Sequence, residues 1–375
     1  MMIPLSLYIH IPFCRSKCAY CDFFSAPASR DEQAAYVAAL LDEIANEAPA
    51  YCDHEVQTVF IGGGSPSVLP VEDIEMIMAR LREHYRFATT AGLPEISIEV
   101  NPGTVTGDIL SRYHAVGINR LSIGLQSTVD TELRLLGRGH SYEDFLAAYH
   151  GARKSGFNNI NIDLIHALPG QTLGDWEENL GRVAALSPEH ISAYGLSIET
   201  GTPFYERFGP GKPEAGKMPD EELDRRMYQH TADFLDAKNF IRYEISNHAR
   251  PGHECKHNLC YWRRGDYLGL GLGAASMINN VRWSNSRSLP IVKENIQQLS
   301  VDVQMEEYIF LGLRLGEGVE LDAFRQNFGR DILDIHAPLL DELCSAGLIH
   351  MDDSLRLSKK GIDISNYVCA RFIMT

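Results

Sequence analysis

Six short apolar runs, each followed by a helical pattern, constrain the fold of this chain more than any other feature of its sequence. Their lengths and β-branched residues predict strands, and repeated βα units predict a parallel sheet. The hydrophobic alternation is too weak for a sheet with one solvated face, so we expect burial on both faces. Six units fall short of the eight in a closed barrel, which predicts an open or partial barrel. The predicted strands are Leu5–Ile11, Thr58–Ile61, Glu95–Val100, Arg120–Leu125, Asn159–Ile165 and His190–Leu196.

Helical patterns and capping signals fill the intervals between these strands. An apolar face recurs over Asp31–Ala48, and Pro70 suits the first turn of the next helix. Thr106 is placed to cap a third helix. Two further pairs have the spacing of a capping box, Ser141 with Asp144 and Thr172 with Asp175.

The pattern changes twice along the chain and divides it into three regions. Residues 1–220 hold the six βα units, and residues 221–299 form a connecting segment. From residue 300 the sequence predicts short helices at Met305–Leu315, Leu321–Phe328 and Ile335–Ala346, then a hairpin of residues 348–350 and 354–357. We therefore predict an α/β partial barrel with a small, mainly α, winged-helix-like module over residues 300–375.

Charge and hydropathy argue against several classes of protein. The formal net charge is −16, and a surface this acidic repels phosphate backbones, so we do not expect nucleic-acid binding. The first residues lack the cationic and apolar segments of a signal peptide. The apolar run Tyr267–Ile278 is too short and too rich in glycine to cross a bilayer. These features predict a cytoplasmic protein.

Three of the eight cysteines lie within eight residues of one another, at Cys14, Cys18 and Cys21. A disulfide framework would pair its cysteines, whereas a tight odd-numbered group in a reducing compartment indicates metal. Closely spaced thiolates of this kind hold iron–sulfur clusters, and three ligands on four irons leave one iron open. A zinc site completed by His10 is the alternative.

Polar and glycine residues follow the predicted strands at the point where each strand ends. Gly62–Gly64 follows the second strand, Glu99 and Asn101 end the third, and Gln126 follows the fourth. The carboxyl ends of parallel strands meet at one rim, which is where ligands bind in such folds. We expect these residues to surround the cysteine loop.

The C-x3-C-x2-C spacing, with Tyr20 just before the last cysteine, resembles the radical S-adenosylmethionine (SAM) superfamily. The longer string Tyr8-Ile-His-Ile-Pro-Phe-Cys14 resembles its oxygen-independent coproporphyrinogen III oxidase-like branch. This resemblance spans nearly the whole chain. It implies a partial (β/α)6 barrel, a [4Fe–4S] cluster on the three cysteines, SAM on the open iron, and an electron donor such as flavodoxin or ferredoxin.

The resemblance also implies which residues contact SAM. Gly64 and Ser65 belong to a turn similar to the GGGTP motif of the family, with serine in place of threonine. Glu99 would accept hydrogen bonds from the SAM ammonium, and Arg138 would pair with its carboxylate. The other implied contacts are Gln126 and Asp163 with the ribose hydroxyls, and Tyr8 beside the cluster loop.

Two departures separate this chain from the catalytic oxidases of the branch. The motif of those oxidases is C-x3-C-x2-C-x-C, and in this chain Phe23 occupies the place of its last cysteine. The second departure is the short segment of 13 residues that precedes Cys14. We therefore do not expect porphyrinogen decarboxylation, although it stays the alternative, and whether SAM is cleaved is left open. The departures favour the heme chaperones of the branch, which deliver heme to acceptor apoproteins such as respiratory-chain hemoproteins. A membrane-bound acceptor would bring such a protein to the inner membrane as a peripheral partner.

The segment His257-Asn258-Leu259-Cys260-Tyr261 matches the H-N-x-x-Y pattern proposed for heme binding in those chaperones. Imidazole is a usual axial ligand of heme iron, and tyrosine is an occasional one. The resemblance therefore implies a heme site at His257, Asn258 and Tyr261. The alternatives are a hydrogen-bonding structural histidine, or a zinc site with Cys255 and Cys260.

Overall fold

The computed structural model describes residues 2–89 and 92–373. Its strands are β1 (Ile3–Ile11), β2 (His54–Gly63), β3 (Glu95–Val100), β4 (Arg120–Gln126), β5 (Ile160–His166), β6 (His190–Gly195), β7 (Ile241–Arg242), β8 (Asn247–Ala249), β9 (Tyr267–Leu270), β10 (Ala275–Ile278), β11 (Val281–Asn285), β12 (Lys293–Gln298), β13 (Val319–Glu320), β14 (Ile349–Met351) and β15 (Ser354–Leu357).

Helices follow most of the barrel strands. They are α1 (Arg30–Glu47), α2 (Val71–His84), α3 (Gly107–Ala115), α4 (Asp130–Leu135), α5 (Tyr142–Lys154), α6 (Leu173–Ala185), α7 (Pro203–Phe208), α8 (Glu221–Asp236), α9 (Lys256–Trp262), α10 (Val301–Gly312), α11 (Leu321–Phe328), α12 (Ile332–Ser345), α13 (Lys359–Asp363) and α14 (Ser365–Ala370).

Strands β1 to β6 pair in sequence order and in parallel, so the predicted α/β fold with a parallel sheet is confirmed. The sheet extends further than predicted, with the order β12-β11-β10-β9-β1-β2-β3-β4-β5-β6-β8-β7. Strand β9 pairs in parallel with β1, and β8 pairs antiparallel with β6. Residues 221–299 thus contribute six strands to the barrel sheet, and the division of the chain at residues 220 and 299 stays a prediction.

The chemistry of the barrel strands alternates more strongly than we predicted. On β4, Leu121, Ile123 and Leu125 are fully buried in the main hydrophobic core, whereas Arg120 and Ser122 line an internal cavity. Burial on both faces is confirmed, but the expectation of weak alternation is wrong. The inner face is buried within the barrel and polar, so the side-chain chemistry alternates while the burial does not.

Local capping residues fix where the barrel helices begin. Both predicted capping boxes form, at Ser141 with Asp144 and at Thr172 with Asp175. The Thr106 hydroxyl accepts from the Ile109 backbone N–H, as predicted. Helix α2 begins at Val71, and Pro70 is its N-cap instead of its first helical residue.

The C-terminal helices α10 to α14 surround a second hydrophobic core that includes Met305, Phe324 and Phe372. The predicted hairpin forms from β14 and β15, and β13 joins it as a three-stranded antiparallel sheet. This combination of helices and a small antiparallel sheet agrees with the winged-helix-like composition predicted from the sequence. Within residues 2–89 and 92–373, no helix is both long and apolar enough to cross a bilayer.

Candidate functional site

A cavity of about 600 Å³ opens at the carboxyl ends of the barrel strands and extends into the barrel. It brings together every residue that the sequence assigned to the cluster, to SAM or to heme. These residues are Tyr8, Cys14, Cys18, Cys21, Gly64, Ser65, Glu99, Gln126, Arg138, Asp163, His257, Asn258 and Tyr261.

The cysteine loop follows β1 and is held by backbone hydrogen bonds at its start and near its middle. The Cys14 N–H donates to the Ala26 carbonyl at 3.1 Å, and the Ala19 N–H donates to the Leu136 carbonyl at 3.0 Å. The thiols of Cys14, Cys18 and Cys21 are all partly exposed. The loop therefore presents three thiols to the cavity from a fixed backbone.

These thiols suit a four-iron cluster better than a single zinc ion. Among the described residues, no three His, Cys, Asp or Glu side chains are grouped so that they could hold one metal ion. Both ring nitrogens of His10 already have partners, the Tyr8 hydroxyl at 3.0 Å and the Phe24 carbonyl at 3.0 Å. In a cubane cluster each thiolate binds a different iron, so the ligands need not meet at one point.

The glycine turn after β2 lies directly against the cysteine loop. A Cβ on Gly64 would stand 2.5 Å from the Phe13 carbonyl oxygen and 3.0 Å from the Cys14 sulfur. The Ser65 hydroxyl lies 3.8 Å from the same sulfur. Gly63 has φ +114°, a backbone conformation that favours glycine. The turn therefore needs glycine for its backbone conformation at position 63 and for close approach to the cysteine loop at position 64.

Two carboxylates of the cavity, Glu99 and Asp163, lack a cationic side chain within 4.0 Å among the described residues. Glu99 accepts from the Gly63 N–H at 3.1 Å, and Asp163 accepts from Ser122 and Asn161. Burial, and then the nearby Asp163, raise the pKa of Glu99 to about 8. Burial also raises the pKa of Asp163. A cationic ligand would relieve both effects, as the SAM ammonium and sulfonium can.

Arg138 supplies the complementary charge at the rim of the cavity. Its Nη2 donates to the Gly124 carbonyl at 2.7 Å, and its Nη1 lies 3.6 Å from the Cys18 sulfur. Its Nε is buried and has no hydrogen-bond partner. Gln126, on the same wall, adopts φ +74°, a conformation that non-glycine residues adopt mainly where the surroundings enforce it. A guanidinium with a free donor suits a ligand carboxylate.

The His257 side chain lies inside the barrel and is 1% exposed. Its Nδ1 is 2.8 Å from the Thr58 hydroxyl, and its Nε2 is 2.8 Å from the Tyr261 hydroxyl. Burial, and then Arg120, lower the pKa of His257 to about 3, so the ring is neutral. In this structure the histidine is therefore a hydrogen-bonded interior residue. To bind heme iron, His257 would have to give up its hydrogen bond to Thr58 or to Tyr261.

The sequence did not predict a polar network inside the barrel, three of whose members, Asn161, His190 and Ser192, line the cavity. His190 Nδ1 lies 2.6 Å from Asn161 Oδ1, and His190 Nε2 lies 2.9 Å from the Tyr243 hydroxyl. The Ser192 hydroxyl donates to the same Asn161 oxygen at 3.0 Å. The available signal was the alternation of polar and apolar residues around Asn161 and Asp163 on β5 and around His190 and Ser192 on β6.

Comparison with known proteins agrees with this geometry. The family model of the Radical SAM superfamily matches residues 8–183, and that of the HemN C-terminal domain matches residues 299–364. The heme chaperone HemW of Bacillus subtilis (strain 168) is 33% identical over 98% of this chain and 99% of its own length. The chain belongs to the HemW family of radical SAM proteins. The Escherichia coli (strain K12) HemW is 40% identical over 72% of this chain and 69% of its own.

The solved structure of coproporphyrinogen III oxidase (HemN) from Escherichia coli, described as a radical SAM enzyme, resembles this HemW-family chain. It superposes with a TM-score of 0.84 and 27% identity, covering 99% of this chain and 90% of that one. The fold prediction, including the HemN-like C-terminal module, is thereby confirmed. Membership of the radical SAM superfamily implies a [4Fe–4S] cluster and SAM, and the residues of the cavity fit both groups.

Proposed function

We propose that this protein is a heme chaperone, which binds heme together with a [4Fe–4S] cluster and SAM and delivers the heme to acceptor apoproteins. The single observation that carries the proposal is the full-length relationship to HemW, in a chain whose cysteine loop and H-N-x-x-Y segment line one cavity. Respiratory-chain hemoproteins are the acceptor class that we propose. We further propose a cytoplasmic location, with peripheral contact at the inner membrane through a membrane-bound acceptor.

The cysteine loop and the rim are proposed to hold the two cofactors. Cys14, Cys18 and Cys21 would bind three irons, and the cluster supplies low-potential one-electron chemistry when it is bound. Flavodoxin or ferredoxin is the electron donor that we propose. Gly64 and Ser65 would line the methionine part of SAM, since the turn leaves no room for a side chain at Gly64.

The charges of the cavity support the proposed orientation of SAM. Glu99 would accept from the ammonium, and Arg138, which lines the same cavity, would bind the carboxylate. Gln126 and Asp163 would bond the ribose hydroxyls. Tyr8, held by its hydrogen bond to His10 and stacked 6.4 Å from Phe60, would form a rigid wall beside them.

For heme, we propose contact with the segment of His257, Asn258 and Tyr261, with His257 as the iron ligand. Replacing Tyr261 by phenylalanine removes the hydroxyl that occupies His257 Nε2. We expect Tyr261→Phe to bind hemin at least as tightly as the parent, because the imidazole no longer has to break that bond. We expect His257→Ala to weaken hemin binding by about tenfold or more. Soret-band titration of the anaerobic protein measures both.

The pair of variants separates the two candidate ligands. Weakened binding in Tyr261→Phe with unchanged binding in His257→Ala would assign the iron to the tyrosine. Unchanged binding in both would remove this segment from the heme site. Tyr267→Phe is the matched control. The centroids of the Tyr267 and Tyr261 rings are 4.6 Å apart, but Tyr267 does not line the cavity.

Coproporphyrinogen III oxidation is the second candidate function, and the similarity to HemN over 99% of the chain favours it. Phe23 argues against this function, because it occupies the position of the fourth cysteine in the motif that the oxidases have. The Phe23 side chain is 65% exposed. A phenylalanine offers neither a ligand nor a proton at that position. We therefore propose heme handling as the main function.

A further inference from the structure

A second cavity, of about 290 Å³, lies where the barrel sheet meets the C-terminal module. We call it the junction cavity and define it by Arg242, Glu244, Arg314, His350, Ser358 and Lys359, which line it. It shares no lining residue with the cysteine cavity. Backbone contacts join its two sides, since the Gly316 N–H donates to the Tyr243 carbonyl at 2.9 Å.

The junction cavity is cationic in a chain whose net charge is −16. Arg242, Arg314 and Lys359 line the cavity together with one carboxylate, that of Glu244, and Lys359 also lies near Asp233 outside the lining. The Glu244 carboxylate is already engaged, because its Oε1 accepts from the Ser246 N–H at 2.8 Å and from Asn247 Nδ2 at 2.6 Å. The cavity therefore concentrates positive charge against the trend of the whole protein.

The two arginines keep donors that the fold does not use. The central guanidinium carbon of Arg314 lies 4.3 Å from the centroid of the Trp262 ring, and its Nη2 lies 3.5 Å from the Glu244 carboxylate. The Arg314 Nε is buried and has no hydrogen-bond partner. Arg242 forms no ion pair within 4.0 Å among the described residues and donates only weakly to the Tyr228 hydroxyl, at 3.4 Å. Buried or half-buried guanidinium groups normally face an anion.

We propose that the junction cavity binds a small oxyanion, through a carboxylate or phosphate group held by Arg242 and Arg314. A guanidinium group can donate to two oxygens of a carboxylate or of a phosphate at once, so the two arginines suit either group. The volume lies at the lower limit for small-molecule sites and is far too small for a porphyrin together with its substituents. Because its walls come from the barrel and from the module, a bound anion would link the two.

Lys359 is the exposed cation of this site. The Lys359 side chain is 94% exposed and its ammonium lies 3.7 Å from Asp233, so solvent and this carboxylate weaken its hold on an anion. The inner contact thus depends on the arginines, and Arg242 is the cleaner position to test. Replacing Arg242 leaves every buried carboxylate with its partners. Replacing Arg314 would instead leave the buried Glu244 carboxylate without its cation.

Isothermal titration with inorganic phosphate and with succinate, at an ionic strength held constant with chloride, tests the proposal. We expect the parent protein to bind at least one of these anions saturably, at one per chain. Arg242→Gln should weaken that binding by about tenfold or more. Arg263→Gln is the matched control, since Arg263 pairs with Glu317 at 2.9 Å outside the cavity, and it should bind as the parent does.

The results separate the possible sources of the anion. Binding of phosphate alone indicates a phosphorylated ligand, and binding of succinate alone indicates a carboxylate; both support the site. A rise in the melting temperature of the parent with the same anion, absent in Arg242→Gln, would support it independently. If neither anion binds saturably, or if Arg263→Gln loses as much affinity as Arg242→Gln, the proposal is wrong.

Discussion

Replacing Cys18 by serine is expected to abolish the iron–sulfur cluster, with the iron content falling from about four per chain to less than one. Among the residues that the structure describes, the three cysteines of the loop are the only thiols that line the cavity, so no other thiol there can replace the missing ligand. A serine hydroxyl stays protonated near neutral pH and is a poor ligand for iron. Iron and sulfide analysis after anaerobic reconstitution, with the visible absorption of the cluster, measures the effect.

Cys52→Ser is the matched control for this experiment. Cys52 is exposed and does not line the cavity, so its loss should leave the iron content unchanged. Equal iron in Cys18→Ser and in the parent would contradict the assignment of the loop. Bound zinc without iron or sulfide in the parent would instead favour the mononuclear alternative.

Glu99→Gln is expected to produce the second large effect, on SAM binding and on its dependence on pH. The pKa of Glu99 is raised to about 8, so the carboxylate must lose a proton before it can pair with the ammonium. Between about pH 6 and 7.5, SAM affinity of the parent should therefore fall as pH falls, by nearly tenfold per unit. The glutamine variant should bind SAM weakly and without this dependence, as equilibrium binding on the reconstituted protein would reveal.

The same substitution should stabilise the ligand-free fold at alkaline pH. Because the pKa of Glu99 rises from 4.5 on folding, ionisation disfavours the folded state increasingly from pH 4.5 and fully above about pH 8. At pH 8.5, with allowance for water in the cavity, the free energy of unfolding of Glu99→Gln should exceed that of the parent by about 2–4 kcal/mol. The difference should vanish below pH 4. Glu294→Gln, on the exposed strand β12, is the control. Equal free energies of unfolding of Glu99→Gln and the parent at pH 8.5 would show that ionisation of the buried Glu99 carboxyl does not destabilise the fold.

Much of the fold could be predicted because its signals are local. The six βα units follow from short apolar runs and capping residues that act within a few positions, as at Ser141 and Thr172. Strands β9 and β12 could not be predicted in the same way. The first is four residues long and contains glycine, and every residue of the second is exposed, so neither has a hydrophobic period that distinguishes it from a loop.

The candidate site shows the same division between local and distant information. The cysteine loop is one continuous motif, and its spacing alone indicated a metal cluster. The state of His257 depends on Thr58, which lies 199 positions away, and on the polar inner face of the barrel. A single sequence carries no direct record of such a contact, so the histidine could be noticed but its two hydrogen bonds could not be foreseen.

Anaerobic heme transfer to an acceptor would test directly whether this protein is a heme chaperone. The reconstituted protein, loaded with hemin and SAM, would be mixed with a heme-free respiratory hemoprotein, and the acceptor spectrum would be followed, with coproporphyrinogen III turnover assayed in parallel. We expect heme to appear in the acceptor faster than from free hemin, and we expect no protoporphyrinogen to form. Absence of transfer, together with clear conversion of coproporphyrinogen III, would contradict the proposed function.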